Sequence, residues 1–330
     1  PKPSSAASDV YKRQMLKKAR VFKSAKREFD CKVIDTNEMV VATALGNLLK
    51  GDDNSIVVGD YVMIDDKNVI TEVLPRNNEI YRLIIREQKK KVTASNCDLM
   101  VIVSSVSRPE YKRGIVDRFL VRAHQWGIRP LIVFNKMDQF DPNVLDMKFE
   151  FDRMNNLGIE CFEVSAAHTD YKPQVLSLGL NDLKERLQGK TSIFLGQSGV
   201  GKSKLITASS EGKIKLLSRE VGKVGKGTHT TTWSEIVDCE SMSLIDSPGI
   251  RSFGVEDLLE EDLITYFPDI EEGAVQCKFS NCTHEPGTAG CFFYSKLDQN
   301  AYETTLIMSR LESFLRMKEE ISQTPSYLKR

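Results

Sequence analysis

The sequence predicts a multidomain α/β protein: a small β-barrel, then a parallel α/β sheet, then a short helical segment built around a metal. Three observations carry this prediction. Between about Ala19 and Leu74, short apolar runs are broken by turn residues. From Cys97 onward, apolar strands alternate with helical patterns. Past Phe267, three cysteines and a histidine fall within fifteen positions, ahead of one long helical pattern.

The first fourteen residues are small and polar and have no apolar periodicity, so they are expected to be a disordered leader. Residues 15–94 follow. Val33-Ile34, Met39 to Ala44, Tyr61 to Ile64 and Val69 to Leu74 are strand-like. Asp35-Thr36-Asn37, Gly51-Asp52-Asp53-Asn54 and Asp65-Asp66-Lys67-Asn68 separate them. Several strands in so short a stretch suit an OB-fold, a barrel used for RNA or as a docking module. Lys89-Lys90-Lys91 reads as a solvated linker, with phosphate contact as the alternative.

Residues 95–268 are expected to form the α/β unit. Its strands are Leu99 to Val103, Leu131 to Phe134, Ile159 to Val164, Ile193 to Leu195 and Ser243 to Ile245, with an amphipathic helix from Ile115 to His124 ended near Gly127. Parallel sheets bind ligands at the carboxyl ends of their strands. Each motif described next sits directly after one of these strands.

Gly196-Gln197-Ser198-Gly199-Val200-Gly201-Lys202-Ser203 satisfies G-x-x-x-x-G-K-[ST] between a strand and a helix that begins with Lys204. In such a loop, backbone N–H groups close on phosphates, Lys202 neutralises the terminal phosphates, and the Ser203 hydroxyl ligates Mg²⁺. Asn135-Lys136-Met137-Asp138 is a guanine-reading pattern. The Asp138 carboxylate accepts from the N1–H and the 2-amino group of guanine, a donor pair adenine does not present. Asn135 braces the loops and the Lys136 stem covers the base. Ser165-Ala166 follows another strand and is expected to meet the guanine O6 through a backbone N–H.

Asp246-Ser247-Pro248-Gly249 matches a D-x-x-G switch, with Asp246 holding Mg²⁺ through water and the Gly249 N–H sensing the γ-phosphate. Ile250 comes next and cannot orient a water molecule, so intrinsic hydrolysis should be slow. The stretch Gly225 to Thr232 is the other switch. Thr230 or Thr231 would ligate Mg²⁺, and His229 is the spare polar group for positioning water, an exposed loop histidine being the plainer reading. The residues expected to act on the reaction are thus His229, Lys202 and Gly249.

The base-reading motif precedes the phosphate loop, the reverse of the ordinary order, although the cyclic order is kept. The central unit is therefore a circularly permuted P-loop GTPase. Cys277, Cys282, His284 and Cys291 supply three thiolates and an imidazole, a closed tetrahedral set for one structural Zn²⁺ in a helical segment spanning 269–330. The other four of the seven cysteines are scattered, which suits a reducing compartment and hence the cytoplasm. Formal net charge is zero, and no apolar run is long enough for a membrane span.

Permuted motifs, a preceding barrel and a following Cys-Cys-His-Cys cluster together resemble the RsgA (YjeQ, EngC) family of small ribosomal subunit biogenesis GTPases. Val58-Gly59-Asp60, Phe267-Pro268-Asp269-Ile270 and His229-Thr230-Thr231-Thr232 carry the likeness further. The resemblance implies a monomer that binds the 30S subunit and its 16S rRNA late in maturation. It also implies GTP hydrolysis stimulated by that subunit, with release in the GDP state. Two departures stand out. Thr228 replaces an arginine usual before the switch histidine, and six residues, not five, separate His284 from Cys291, which brings Glu285 near as an alternative ligand. The competing functions are a nucleotide-gated RNA-binding module and a signalling GTPase with incidental slow hydrolysis.

Overall fold

A computed structural model describes residues 16–25, 27–48, 56–84, 89–213, 235–239, 241–246, 254–255 and 257–323. The leader, the Gly51 to Asn54 break, the Gly225 to Thr232 switch and the Ser247 to Ile250 stretch lie outside them.

Five strands open the fold: β1 (Lys17–Ala25), β2 (Glu28–Val33), β3 (Met39–Ala44), β4 (Tyr61–Ile64) and β5 (Val69–Val73). They run in the order β1-β2-β3-β5-β4, and β4 pairs back onto β1 with Lys17 opposite Ile64, which closes a barrel. Only the β3–β5 pairing is parallel. This is the predicted OB-fold. Val21, Cys31, Val62 and Ile70 alternate inward along their strands and are fully buried.

The prediction named neither β1 nor the hairpin that follows the barrel, β6 (Glu79–Ile84) and β7 (Lys89–Ser95). Lys89 to Lys91 therefore begin a strand and are not a linker. The Lys90 ammonium lies over the Tyr81 ring, with Nζ 4.1 Å from its centre, while paired with Glu79. Buried Asp60 ties the hairpin to the barrel. It accepts from the Ser95 hydroxyl (2.6 Å), from Arg76 Nε (2.7 Å) and from the Val57 N–H (2.9 Å).

The α/β unit comprises β8 (Leu99–Ser105), α1 (Arg113–Trp126), β9 (Arg129–Asn135), α2 (Met147–Asn155), β10 (Cys161–Val164), α3 (Leu180–Leu187), β11 (Thr191–Leu195), α4 (Lys202–Ser209), β12 (Glu235–Asp238) and β13 (Ser243–Asp246). The spatial order is β10-β9-β8-β11-β13-β12, parallel except for β12. Both faces are covered, so the strands read as continuous apolar runs. Along β8, Met100 and Ile102 point toward Phe119 of α1 and Met154 of α2. Val101 and Val103 point the other way, toward Leu183 of α3 and Leu205 of α4. Gly127, at φ 64°, caps α1 as the sequence requires. The pairing of Lys23 with Glu235 joins barrel and α/β unit into one eleven-stranded sheet.

The remaining chain forms α5 (Pro268–Ala274), α6 (Phe292–Ser295) and α7 (Tyr302–Gln323). Phe267, Phe293, Phe314 and Met317 make their core, joined by Val121 from the far side of α1. Among the described residues, no helix is long and apolar enough to cross a membrane.

Candidate functional site

The carboxyl ends of β9, β10 and β11 meet at Asn135. This residue is buried at the last position of β9, and both ends of its amide are used. Its Nδ2 donates to the Val200 carbonyl in the phosphate loop at 2.8 Å, and its Oδ1 accepts from the Ala166 N–H at 3.0 Å. One side chain thereby fixes three loops.

The next residue, Lys136, takes a left-handed conformation (φ 65°) that turns the chain away from the strand. Its Nζ donates to the Gly199 carbonyl at 2.8 Å and to the Arg108 carbonyl. Met137 packs into the core at the start of a single 3-10 turn, Met137–Gln139. That turn presents Asp138, whose Oδ1 accepts from the Ser165 hydroxyl at 2.5 Å and whose Oδ2 accepts from Gln139 at 3.3 Å. The His168 Nε2 lies 3.8 Å from the same Oδ2. Burial works against the Asp138 charge, but the Ser165 and Gln139 hydrogen bonds and His168 outweigh it and hold the carboxyl below the usual carboxylate range. An ionised acceptor is what a guanine edge requires.

Gly196 to Gly201 make the turn from β11 into α4. Gly201 (φ 99°) permits a contact no other residue could, because a Cβ there would collide with Asn135 Nδ2. Val200 is buried and anchors the loop. The Lys202 ammonium reaches back to the carbonyls of Gly196 (2.7 Å) and Gln197 (2.8 Å), which places it over the mouth of the loop. A cavity of about 630 Å³ lies beside it, lined by Ala166, Ala167, Thr169, Lys184, Ser203 and Lys204.

Asp246 is the last residue of β13, which runs parallel to β11. It therefore emerges on the same edge of the sheet as the phosphate loop. His229, Thr230, Thr231 and Gly249 lie outside the described residues.

The second cluster is formed by Cys277, Cys282, His284 and Cys291, whose ligating atoms all lie within 4.8 Å of one another. His284 turns its Nδ1 toward Cys277 Sγ (3.6 Å) and Cys291 Sγ (3.9 Å). Phe293 stands edge-on to its ring at 5.5 Å, and the Phe292 N–H donates to Cys277 Sγ at 3.3 Å. Burial, with Cys282 and Cys277 alongside, pushes the Cys291 thiol up to about 11. Crowded thiols of this kind favour a cation that takes them as thiolates. Glu285 stands outside the set. Away from it, burial pushes Cys31, Cys97 and Cys161 up to about 12, which makes them inert core residues.

Sequence reasoning missed the loop after β8, whose Arg108 carbonyl meets Lys136, and it missed His168. The position of both just past strand ends was the available signal.

Comparison with known proteins agrees with this geometry. A family model described as RsgA GTPase matches residues 73–256. A Bacteroides fragilis (strain YCH46) protein named small ribosomal subunit biogenesis GTPase RsgA is 33% identical over 299 residues, covering 87% of this chain and 91% of that one. The crystal structure of YjeQ from Thermotoga maritima superimposes with a TM-score of 0.73 at 26% identity, over 94% of this chain and all 100% of that one. The structure of YloQ, described as a circularly permuted GTPase, shares the fold with a TM-score of 0.64 at 21% identity, over 96% and 98% of the two chains.

Proposed function

The chain belongs to the RsgA GTPase family, and from that premise we propose that it hydrolyses GTP while bound to the small ribosomal subunit, whose late maturation it assists. The observation that carries this reading is the double hydrogen bond of Asn135, which holds the base-reading loop, the 165–166 loop and the phosphate loop in one site.

In this reading Asp138 and the 165–166 backbone select guanine, while Gly196 to Lys204 cradle the phosphates. Lys202 would exchange its two loop carbonyls for phosphate oxygens. Ser203 and Asp246 would hold a magnesium ion, joined by Thr230 or Thr231, and that ion would neutralise phosphate charge when bound. His229 and the Gly249 N–H complete the reacting set, and Ile250 leaves hydrolysis dependent on a group the ribosomal subunit orders. Three thiolates and an imidazole in a closed set favour zinc in a structural role.

We assign the barrel (15–94) and the metal segment (269–330) to 30S and 16S rRNA contact, with the permuted GTPase core (95–268) between them. The working form is a cytoplasmic monomer.

The test is GTP hydrolysis by the purified protein with and without purified 30S subunits. Stimulation by the subunit is expected. Unchanged turnover with GTP binding intact would overturn the ribosome-coupled reading and leave a nucleotide-gated binder.

A further inference from the structure

Glu163 lies in β10, two residues before Ser165, and its side chain is fully buried. A carboxylate buried in an apolar sheet is costly unless its lone pairs are taken up. All of them face one segment. Oε1 accepts from the Tyr171 hydroxyl at 2.5 Å and from the Gln174 N–H at 2.8 Å. Oε2 accepts from the N–H groups of Val175 (2.8 Å) and Leu176 (2.6 Å). The Glu163 N–H itself donates to the Leu178 carbonyl at 2.8 Å. The stretch 165–179 has almost no regular structure of its own, so this carboxylate takes the place of a strand partner in fixing its path.

That stretch carries every group that touches the base reader from the β10 side. Ser165 Oγ meets Asp138, the Ala166 N–H meets Asn135, and His168 approaches Asp138. The turn continues through the His168 N–H to the Ser165 carbonyl (3.1 Å) and the Tyr171 N–H to the His168 carbonyl (3.0 Å). It therefore connects directly to the four bonds at Glu163. We propose that Glu163 is a positioning residue for guanine recognition. It anchors the 165–179 loop so that Ser165 and Ala166 hold Asp138 and Asn135 in the orientation that reads the guanine 2-amino group. This rests on the assignment of Asp138 as the guanine reader.

Glu163→Gln tests it with little change of shape. Whichever carboxylate oxygen becomes the amide NH₂ would face a backbone N–H, so one side of the anchor opens. The readout is the affinity ratio of GDP to IDP, which lacks the 2-amino group, together with single-turnover hydrolysis at saturating GTP. We expect the GDP-over-IDP preference to fall by roughly tenfold, with the affinity for inorganic pyrophosphate and the saturated rate unchanged. A merely destabilised fold would not move that ratio alone. Tyr171→Phe, which removes one donor and leaves three, should lower it roughly twofold to threefold. An unchanged ratio in folded Glu163→Gln overturns the proposal. If that variant does not fold, an unchanged ratio in Tyr171→Phe does so. Asp138→Asn separates the two levels. If it keeps the GDP preference, the guanine reading itself fails. If it loses the preference while Glu163→Gln keeps it, only the positioning role falls.

Discussion

Asp117 and Arg310 stand 193 positions apart in the chain, yet their side chains meet at 2.6 Å in the fully buried seam between α1 and α7. Arg153 of α2 joins them, donating to the same carboxylate at 2.8 Å, and the Ser313 hydroxyl donates to it as well. Arg310 is shared with Asp269 of α5 at 3.0 Å, and Arg153 with Glu150 at 3.1 Å. Arg118–Glu320 and Arg122–Asp257 extend the contact along α1. A nucleotide-driven rotation of the metal segment against the core would have to break this network.

Replacing Asp117 by alanine would leave two guanidinium groups buried without their shared counter-charge. Breaking a buried pair in this way costs about 3–5 kcal/mol. Chemical denaturation of Asp117→Ala should show a loss of that size. A loss under about 1 kcal/mol would mean that water reaches the seam.

The same carboxylate sets a pH dependence. Burial opposes the Asp117 charge, but Arg310 and Arg153 overcome it and hold its carboxyl below the usual range. A group whose folded value is depressed stabilises the fold fully above its unfolded value, about 3.9 for aspartate. That stability is lost as pH falls from there through the lower folded value. Asp117→Asn should therefore be less stable at neutral pH and show a shallower acid limb than the wild type in denaturation followed from about pH 6 to about pH 3.

This seam could not be read from the sequence, and the reason is physical. Asp117, Arg153 and Arg310 each sit in a helical pattern where charged residues ordinarily mark the solvent face, and nothing local says that three such faces converge. The central motifs were legible because their chemistry is local: Gly196 to Ser203 and Asn135 to Asp138 each form one turn after one strand. The hairpin β6–β7 was obscured for the opposite reason. Lys89 to Lys91 resemble a solvated run until the Tyr81 ring, brought across by pairing, gives the Lys90 ammonium a face to rest on. β12 was missed because its only two apolar residues, Ile236 and Val237, stand between Glu235 and Asp238.

The metal cluster makes a separate prediction. His284 is wedged between Phe293 and Phe314, so its ligation and the aromatic core are one structure. Stripping the protein with a chelator, or replacing Cys282 by serine, should release close to one equivalent of zinc. It should also lower the melting temperature and leave guanine nucleotide affinity nearly unchanged, because the two sites share no residue. Zinc released in a colorimetric assay is the check. Binding should weaken as pH falls, since protons compete for the thiolates.

The last prediction concerns Gly201. Its left-handed backbone and the Asn135 amide occupy the space a side chain would need, and this contact couples the phosphate loop to the base-reading strand. Gly201→Ala would push Asn135 Nδ2 away from the Val200 carbonyl, and it would strain the turn into α4. Asn135 then loses one of its two bonds, and the base and phosphate halves of the site are no longer held in register. GDP and GTP affinity should both fall at least about tenfold, equivalent to about 1.4 kcal/mol. The barrel and the metal segment are remote from the change, so the zinc content should stay as in the wild type. Nucleotide titration beside a zinc assay distinguishes this local effect from general unfolding, in which both would be lost.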